Sequence, residues 1–320
     1  MIRIGIIGGA GYTAGELLRI LLNHPEAEIG FVYSTSNAGN LITDVHEGLY
    51  GETDLCFADH ADLDSVDVVF MCSGHGKSSA FWAEHERPTG LKVVDLAQDY
   101  RDESCGYVYG LPEIQREKIK RASLIANPGC FATAIQLALL PLADDNLLKD
   151  DVQVTAITGS TGAGVKPGAT THFSWRSNNL SVYKAFEHQH LIEIRHNIKT
   201  LEPQFGSEIH FVPVRGDFAR GILAVTYTYS DLTEDEAYAL YEKYYHDAPF
   251  THVSHRNIDL KQVVNTNKAL LHLEKHDDQL MIVSVIDNLL KGASGQAVQN
   301  MNLIFGLPET TGLKLKASAF

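Results

Sequence analysis

The sequence has little sulfur to work with. Four cysteines occur in 320 residues, Cys56, Cys72, Cys105 and Cys130, and no two stand in C-x-x-C spacing. A chain of this length can bury a core without disulfide staples, so reduced thiols in a cytoplasmic protein are expected. Cys72 and His75 are neighbours, but two ligands without further partners make no metal site, and no metal is expected. No apolar run reaches the roughly 18 residues of a membrane span, and residues 1–9 lack a signal peptide's apolar stretch. Internal repeats, low-complexity tracts and a proline-rich linker are also missing. Positive charge is in deficit: 26 basic against 40 acidic residues, a formal net charge of −14. That argues against nucleic acid or an anionic membrane as partner, and leaves room for a small anionic substrate held by a few local groups. The length suggests two domains.

What is present centres on residues 126–133, Ala-Asn-Pro-Gly-Cys-Phe-Ala-Thr. A strand-like run, 123–126, enters this stretch and a helix-like run, 131–140, leaves it. Pro128 and Gly129 force the corner. Cys130 therefore stands in the first turn of a helix, where free backbone N–H groups and the positive dipole end favour an anion. A thiolate is such an anion, and a helix start with a basic neighbour lowers a thiol's pKa. Cys130 is expected to be a nucleophile toward an activated acyl group. The competing reading is a small buried apolar residue.

A second corner opens the chain. Residues 2–7 read as a buried strand, followed by Gly8-Gly9-Ala10-Gly11-Tyr12-Thr13-Ala14-Gly15, then a helix with Leu17, Leu18, Leu21 and Leu22 on one stripe. Thr13 and Glu16 have capping-box spacing, which predicts a helix start near Thr13. Strand, glycine turn and helix make a dinucleotide-binding corner, with Gly8, Gly11, Tyr12 and Thr13 as cofactor contacts. The next strand, 29–33, ends at Ser34-Thr35-Ser36-Asn37, where an NAD site usually has an acid. Ser34 and Ser36 in its place favour NADP(H), although no Lys or Arg occurs between Arg19 and Lys77. Strands at 66–71 and 91–96 follow. Their carboxyl ends place Ser73, Gly74 and Arg101 on the same rim as Gly8 and Cys130. Arg101 is suited to grip a phosphate or carboxylate with two bonds, or is simply a solvated charge.

The second half changes character. A strand at 152–158 runs into a glycine-rich loop, 159–168, which either lets backbone approach a ligand, with Ser160 as an expected substrate contact, or is a flexible surface turn. Residues 186–202 have helical spacing at Leu191, Ile194, Ile198 and Leu201. His190 and Glu193, three apart, share another face, and a carboxylate can orient an imidazole and raise its basicity. His190 is thus a candidate acid–base for Cys130, with His188 and His196 as rivals. Strands at 208–214, 221–230, 269–274 and 280–286, a turn at Asp277-Asp278-Gln279, a helix at 233–246 with a Thr233–Glu236 capping box, and a last helix at 293–305 complete the chain. The expected architecture is α/β: a Rossmann-type parallel-sheet nucleotide domain plus an α+β substrate and dimerisation domain with a largely antiparallel sheet.

Assembled, these stretches resemble the N-acetyl-gamma-glutamyl-phosphate reductase family, almost end to end. The resemblance rests on residues 8–13, Tyr109-Gly110-Leu111-Pro112-Glu113, Asn127-Pro128-Gly129-Cys130, Gly162-Ala163-Gly164 and His188-Gln189-His190. It is most specific in the block from Asp287-Asn288-Leu289-Leu290-Lys291-Gly292 through Asn302. It implies NADPH-dependent reductive dephosphorylation of an N-acylglutamyl 5-phosphate to its semialdehyde, in arginine biosynthesis. Cys130 would be the nucleophile and His190 the acid–base. Asn288 would lie near the nicotinamide, and Arg101 and Asn127 at phosphate or substrate. The last helix, 293–320, would return to a nucleotide domain of 1–131, leaving 132–292 as the catalytic and dimerisation domain of a homodimer or homotetramer. Two departures stand out. Ile192 replaces the family's Pro before Glu193, and Asn37 and Asn40 stand where the family often has Arg and Lys, which leaves NADP against NAD open. Alternatives are an aspartate-semialdehyde dehydrogenase, the same reaction on a succinylated or carrier-linked substrate, a nucleotide-sensing regulator without catalysis, and a hydroxy-acid dehydrogenase.

Overall fold

The computed structural model describes residues 1–318, which divide into two compact units. The first comprises residues 1–128 and 293–314. Its elements are β1 (Ile2–Ile7), α1 (Tyr12–Leu21), β2 (Ala27–Tyr33), β3 (Val68–Met71), α2 (Lys77–Glu84), β4 (Lys92–Asp95), β5 (Val108–Tyr109), α3 (Pro112–Arg121) and β6 (Leu124–Ala126). The strands form one sheet in the order β2-β1-β3-β4-β6-β5, every pair parallel. β3 is buried along its whole length and β4 nearly so, as unbroken Val/Phe/Met runs require in a sheet covered on both faces. The order reverses between β1 and β3. Parallel sheets of this kind take ligands at such a point, outside the carboxyl ends of the strands.

The second unit comprises residues 129–292 and the stretch from Leu315. It contains α4 (Cys130–Asp144), β7 (Val152–Thr158), α5 (Phe173–Arg176), β8 (Ser181–Val182), α6 (His190–Leu201), β9 (Ile209–Arg215), β10 (Ile222–Tyr229), α7 (Glu234–Tyr245), β11 (Thr251–Val253), β12 (Ala269–His276) and β13 (Gln279–Ile286). The seven-stranded sheet runs β11-β12-β13-β10-β7-β9-β8. It is mixed: β7–β9 and β11–β12 are parallel and the other pairs antiparallel. β9 and β10 alternate buried and partly exposed residues, the period-two signature of a sheet with one packed face.

α4 is apolar all round and buried from Phe131 to Ala143, so it is a central helix rather than a surface one. It continues through Pro141, beyond the predicted end at Leu140. A proline inside a helix removes the N–H that would bond the carbonyl four residues back. That carbonyl, Leu137 O, accepts instead from Tyr245 Oη at 2.6 Å, and Ala138 O accepts from Tyr241 Oη. Next to these carbonyls α4 is tied to α6: Asn197 Nδ2 donates to Gln136 Oε1 at 2.7 Å.

The last helix, α8 (Ser294–Ile304), belongs to the first unit and is buried throughout. Its polar residues satisfy loop backbone. Asn300 Nδ2 donates to Gly110 O, and Asn302 Nδ2 donates to Glu309 O and Thr311 O. His24 Nδ1 accepts from Glu26 N, so its Nε2–H donates to Asn302 Oδ1 at 3.0 Å. One expected cap is absent. α1 starts at Tyr12 with Gly11 as N-cap and no side-chain cap, and Glu16 turns to Arg19 instead of back to Thr13. The Thr233–Glu236 box at α7 forms as its spacing predicts.

Candidate active site

In the first unit the glycine corner lies at the sheet's reversal point. Gly8 has φ +84°, and a Cβ there would stand 2.6 Å from Ser73 N, so this position excludes a side chain on two counts. Gly8 N and Gly9 N both donate to Tyr33 O, which folds the turn down onto the end of β2. Gly11 has open space around it, with no atom nearer to a Cβ than Gly8 O at 4.0 Å. Tyr12 is exposed, and Thr13 follows in the first turn of α1. Ser73 and Gly74 follow β3, and nothing within 4 Å would obstruct a Cβ on Gly74. At the end of β2, Asn37 Nδ2 bridges Ser34 Oγ at 3.4 Å and Ser36 Oγ at 2.9 Å, an uncharged polar cluster. The corner thus fits a dinucleotide: a glycine cradle that a Cβ would fill, a helix start without a capping side chain, and hydroxyls where a ribose would lie.

Beside this corner, Cys72 is partly exposed, but desolvation of its thiol pushes the pKa up to about 12, so it stays protonated. Asp95, wholly buried at the end of β4, is pushed up to about 6 by burial, opposed by hydrogen bonds from Ser78 Oγ and Ala97 N. Arg101 is buried rather than solvated. Its Nε donates to Asn127 O at 2.9 Å and its Nη2 to Leu96 O at 3.1 Å, joining the ends of two strands. Asn127 is 0% exposed; its Nδ2 donates to Ala293 O and its Oδ1 accepts from Asn300 Nδ2.

In the second unit Cys130 is the first residue of α4, partly exposed, with Gly129 as N-cap. Two side chains of α6 press on the N-cap. A Cβ on Gly129 would lie 2.4 Å from His190 Nε2 and 2.7 Å from Glu193 Oε1. Gly129 N donates to Glu193 Oε2 at 3.1 Å. The imidazole and carboxylate predicted to share a face of α6 therefore meet the helix start that carries the thiol. Gly292 backs the cysteine from another direction, since its Cβ would stand 2.8 Å from Cys130 Cβ. The loop that delivers Gly292 is organised by the buried Asp287. That carboxylate accepts from Leu289 N and Leu290 N and pairs with Arg220 at 3.1 Å. Asn288 Oδ1 accepts from Gly221 N and its Nδ2 donates to Thr161 Oγ1, pinning the turn that contains Ser160.

The rivals to His190 separate by location. His196 lies on the exposed face of α6. His188 is buried and its Nδ1 accepts from His190 N at 3.3 Å. Burial, with Lys184 and Arg215 nearby, lowers its pKa to about 4, so it stays neutral and supports the His190 backbone. Its ring lies 4.6 Å from that of His190 and 5.8 Å from that of Tyr183. Burial pushes the Tyr183 phenol up to about 12, so it remains a neutral O–H. Sequence spacing pointed to neither Tyr183 nor Arg215; Gly292 was visible only within the long block. Among the described residues no group of three or more His, Cys, Asp or Glu could hold a metal, and no helix is long and apolar enough to cross a membrane.

Comparison with known proteins agrees with this geometry. Residues 3–122 match the family model "Semialdehyde dehydrogenase, NAD binding domain", and residues 130–288 match "Semialdehyde dehydrogenase, dimerisation domain". Among solved structures, aspartate semialdehyde dehydrogenase II from Vibrio cholerae aligns with TM-score 0.74 at 17% identity, over 96% of this chain and 98% of that one, a likeness of fold. Relatives named N-acetyl-gamma-glutamyl-phosphate reductase are far nearer in sequence. The Bacteroides thetaiotaomicron protein is 62% identical and the Flavobacterium johnsoniae protein 54%, each over 100% of both chains. The chain belongs to the N-acetyl-gamma-glutamyl-phosphate reductase family, nicotinamide-dependent oxidoreductases of the semialdehyde dehydrogenase fold.

Proposed function

We propose that the chain catalyses the reaction for which its relatives are named, reducing N-acetylglutamyl 5-phosphate to the 5-semialdehyde with release of phosphate, in arginine biosynthesis. The observation that carries this is the meeting of Cys130, at the start of α4, with His190 and Glu193 of α6 across the Cα of Gly129. His190 Nε2 takes the Cys130 proton and leaves a thiolate at the helix start. The thiolate attacks the acyl carbon, and phosphate departs with the electron pair of its bond, leaving a thioester. The α4 N-terminus faces the oxyanion with backbone N–H groups. Glu193 holds the Gly129 amide and with it the angle of the corner. When the thiohemiacetal collapses, the C–S bond breaks toward sulfur and His190 returns the proton. Gly8, Gly11, Tyr12, Thr13, Ser34, Ser36, Ser73 and Gly74 would hold the dinucleotide, which supplies hydride to the thioester.

Arg101 and Asn127 hold backbone in the first unit, and Asn288 holds Gly221 N and the Thr161 hydroxyl beside Ser160 in the second. NADP is the proposed cofactor, because the Ser34–Ser36–Asn37 cluster has no carboxylate to repel a 2′-phosphate. The exposed apolar side chains Phe173, Leu180, Val182, Phe186 and Ile192 of the second unit suit burial between copies, in a cytoplasmic homodimer or homotetramer. The test is oxidation of the semialdehyde with phosphate and NADP, then with NAD. Turnover in wild type and a loss of about a thousandfold or more in Cys130→Ala is expected. A Cys130→Ala enzyme working at the wild-type rate would end the reading.

A further inference from the structure

We propose that Arg215, helped by Lys184, is the seat for an oxyanion of the substrate, a carboxylate or phosphate, beside the cysteine. This rests on the reductase reading and names the groups that grip the substrate's charged end. Arg215 is the last residue of β9, and its carbonyl is fixed by Arg176 Nη1 at 2.7 Å. Its guanidinium lies over the Tyr183 ring, 4.5 Å from the centroid. Stacking on an aromatic face orients the planar fork, which also hydrogen-bonds the Tyr183 side chain. Among the described residues no hydrogen-bond partner meets Arg215 Nε, although that atom is buried. Lys184 follows Tyr183 at φ +46°, and its Nζ donates to Gln189 Oε1 at 3.2 Å.

No carboxylate among the described residues pairs with Arg215 or Lys184, in a chain of formal net charge −14. Both cations act on His188, whose ring adjoins His190, and the Tyr183 beneath Arg215 feels the charge of Cys130. Two neighbouring cations without a carboxylate partner raise the local affinity for an anion, and an arginine fork matches a carboxylate or phosphate. The neutral His188 adds no third charge there.

The test runs the reaction backwards, because aldehyde and phosphate are then separate substrates. KM values for N-acetylglutamate 5-semialdehyde and for inorganic phosphate are measured in wild type, Arg215→Met, Arg215→Lys and Lys184→Met. In Arg215→Met one of the two is expected to rise about ten- to hundredfold, with partial recovery in Arg215→Lys, a smaller rise in the exposed Lys184→Met, and kcat changed less. A rise for the aldehyde identifies the carboxylate as occupant; a rise for phosphate identifies the leaving group. Wild-type values for both in folded variants would overturn the seat. If wild type turned over neither substrate, the reductase reading would fail separately, and alkylation of Cys130 would still decide. Iodoacetate, an anion, should lose rate relative to neutral iodoacetamide in Arg215→Met and Lys184→Met, followed at Cys130 by peptide mass. An unchanged ratio overturns the proposal.

Discussion

Two of the glycine corners that lead from a strand into a helix are crowded in different ways. At Gly8–Thr13 the backbone itself is unusual: φ is positive at Gly8, Gly11 is open, and α1 has neither a side-chain cap nor an acid in its first turn. At Gly129–Cys130 the N-cap has an ordinary extended φ of −71°, and glycine is required because His190 and Glu193 leave no room for a Cβ. The first corner leaves space for something that is not protein. The second is filled by the protein's own side chains and presents one sulfur. The same local grammar thus serves a broad ligand in one place and a single reacting atom in another, and the difference is made by residues some sixty positions later in the chain.

The contrast is sharpest under substitution. Gly129→Ala should displace the imidazole and carboxylate and cut kcat/KM by about a hundredfold or more, with KM for the dinucleotide little changed, because small misplacements at a reacting centre are costly. Near-normal kinetics would show that the crowding has no catalytic consequence. Gly8→Ala should act the other way, weakening dinucleotide binding by calorimetry and lowering stability by about 1–3 kcal/mol in urea titrations. Gly11→Ala, with open space around it, should cost under about 1 kcal/mol. Equal effects at Gly8 and Gly11 would remove the distinction between them.

The units should also differ in acid. His188 is lowered to about 4 from 6.5 by burial and its two cationic neighbours. Between these values the unfolded chain binds a proton that the folded chain refuses. Stability therefore falls as pH drops from 6.5 toward about 4, by at most ~3 kcal/mol. Asp95 is raised from 3.8 to about 6, so between these values the folded chain keeps a proton that the unfolded chain releases. Its contribution, of like size, is lost as pH rises through about 6. Urea midpoints across this range should lose the first slope in His188→Gln and the second in Asp95→Asn; slopes unchanged by either substitution would refute both assignments.

The smallest contrast is between the two capping boxes. Thr233→Ala should cost about 1 kcal/mol of α7's anchoring, whereas Glu16→Ala, which removes an i,i+3 pair with Arg19 and no cap, should cost less than about 0.5 kcal/mol. Thermal melts of the two variants decide this.

These two boxes also mark where the sequence could and could not be read. Both have the same spacing, but Gly11 already occupies the N-cap position two residues before Thr13, so Glu16 has no capping amide to reach. The Rossmann-type sheet, the mixed second sheet and the helix facing Cys130 followed from hydrophobic period and corner residues, because those signals are local. The short strands β5, β8 and β11 did not, since two or three residues have no period. Arg101 looked like a solvated charge or an anion grip, and only the fold shows its donors turned onto Asn127 O and Leu96 O. Tyr183 directly follows β8 and Arg215 ends the neighbouring β9, and no spacing rule joins residues so far apart in the chain.

The proline in α4 reaches further than its own turn. A helix that begins with the nucleophile has, two turns on, two carbonyls moored by the hydroxyls of Tyr241 and Tyr245. Both phenols are buried, and burial pushes that of Tyr241 up, so its proton stays on oxygen. A helix tethered there cannot slide along its axis. The sulfur's position along that axis is therefore set from the middle of the rod, by two buried rings two turns away.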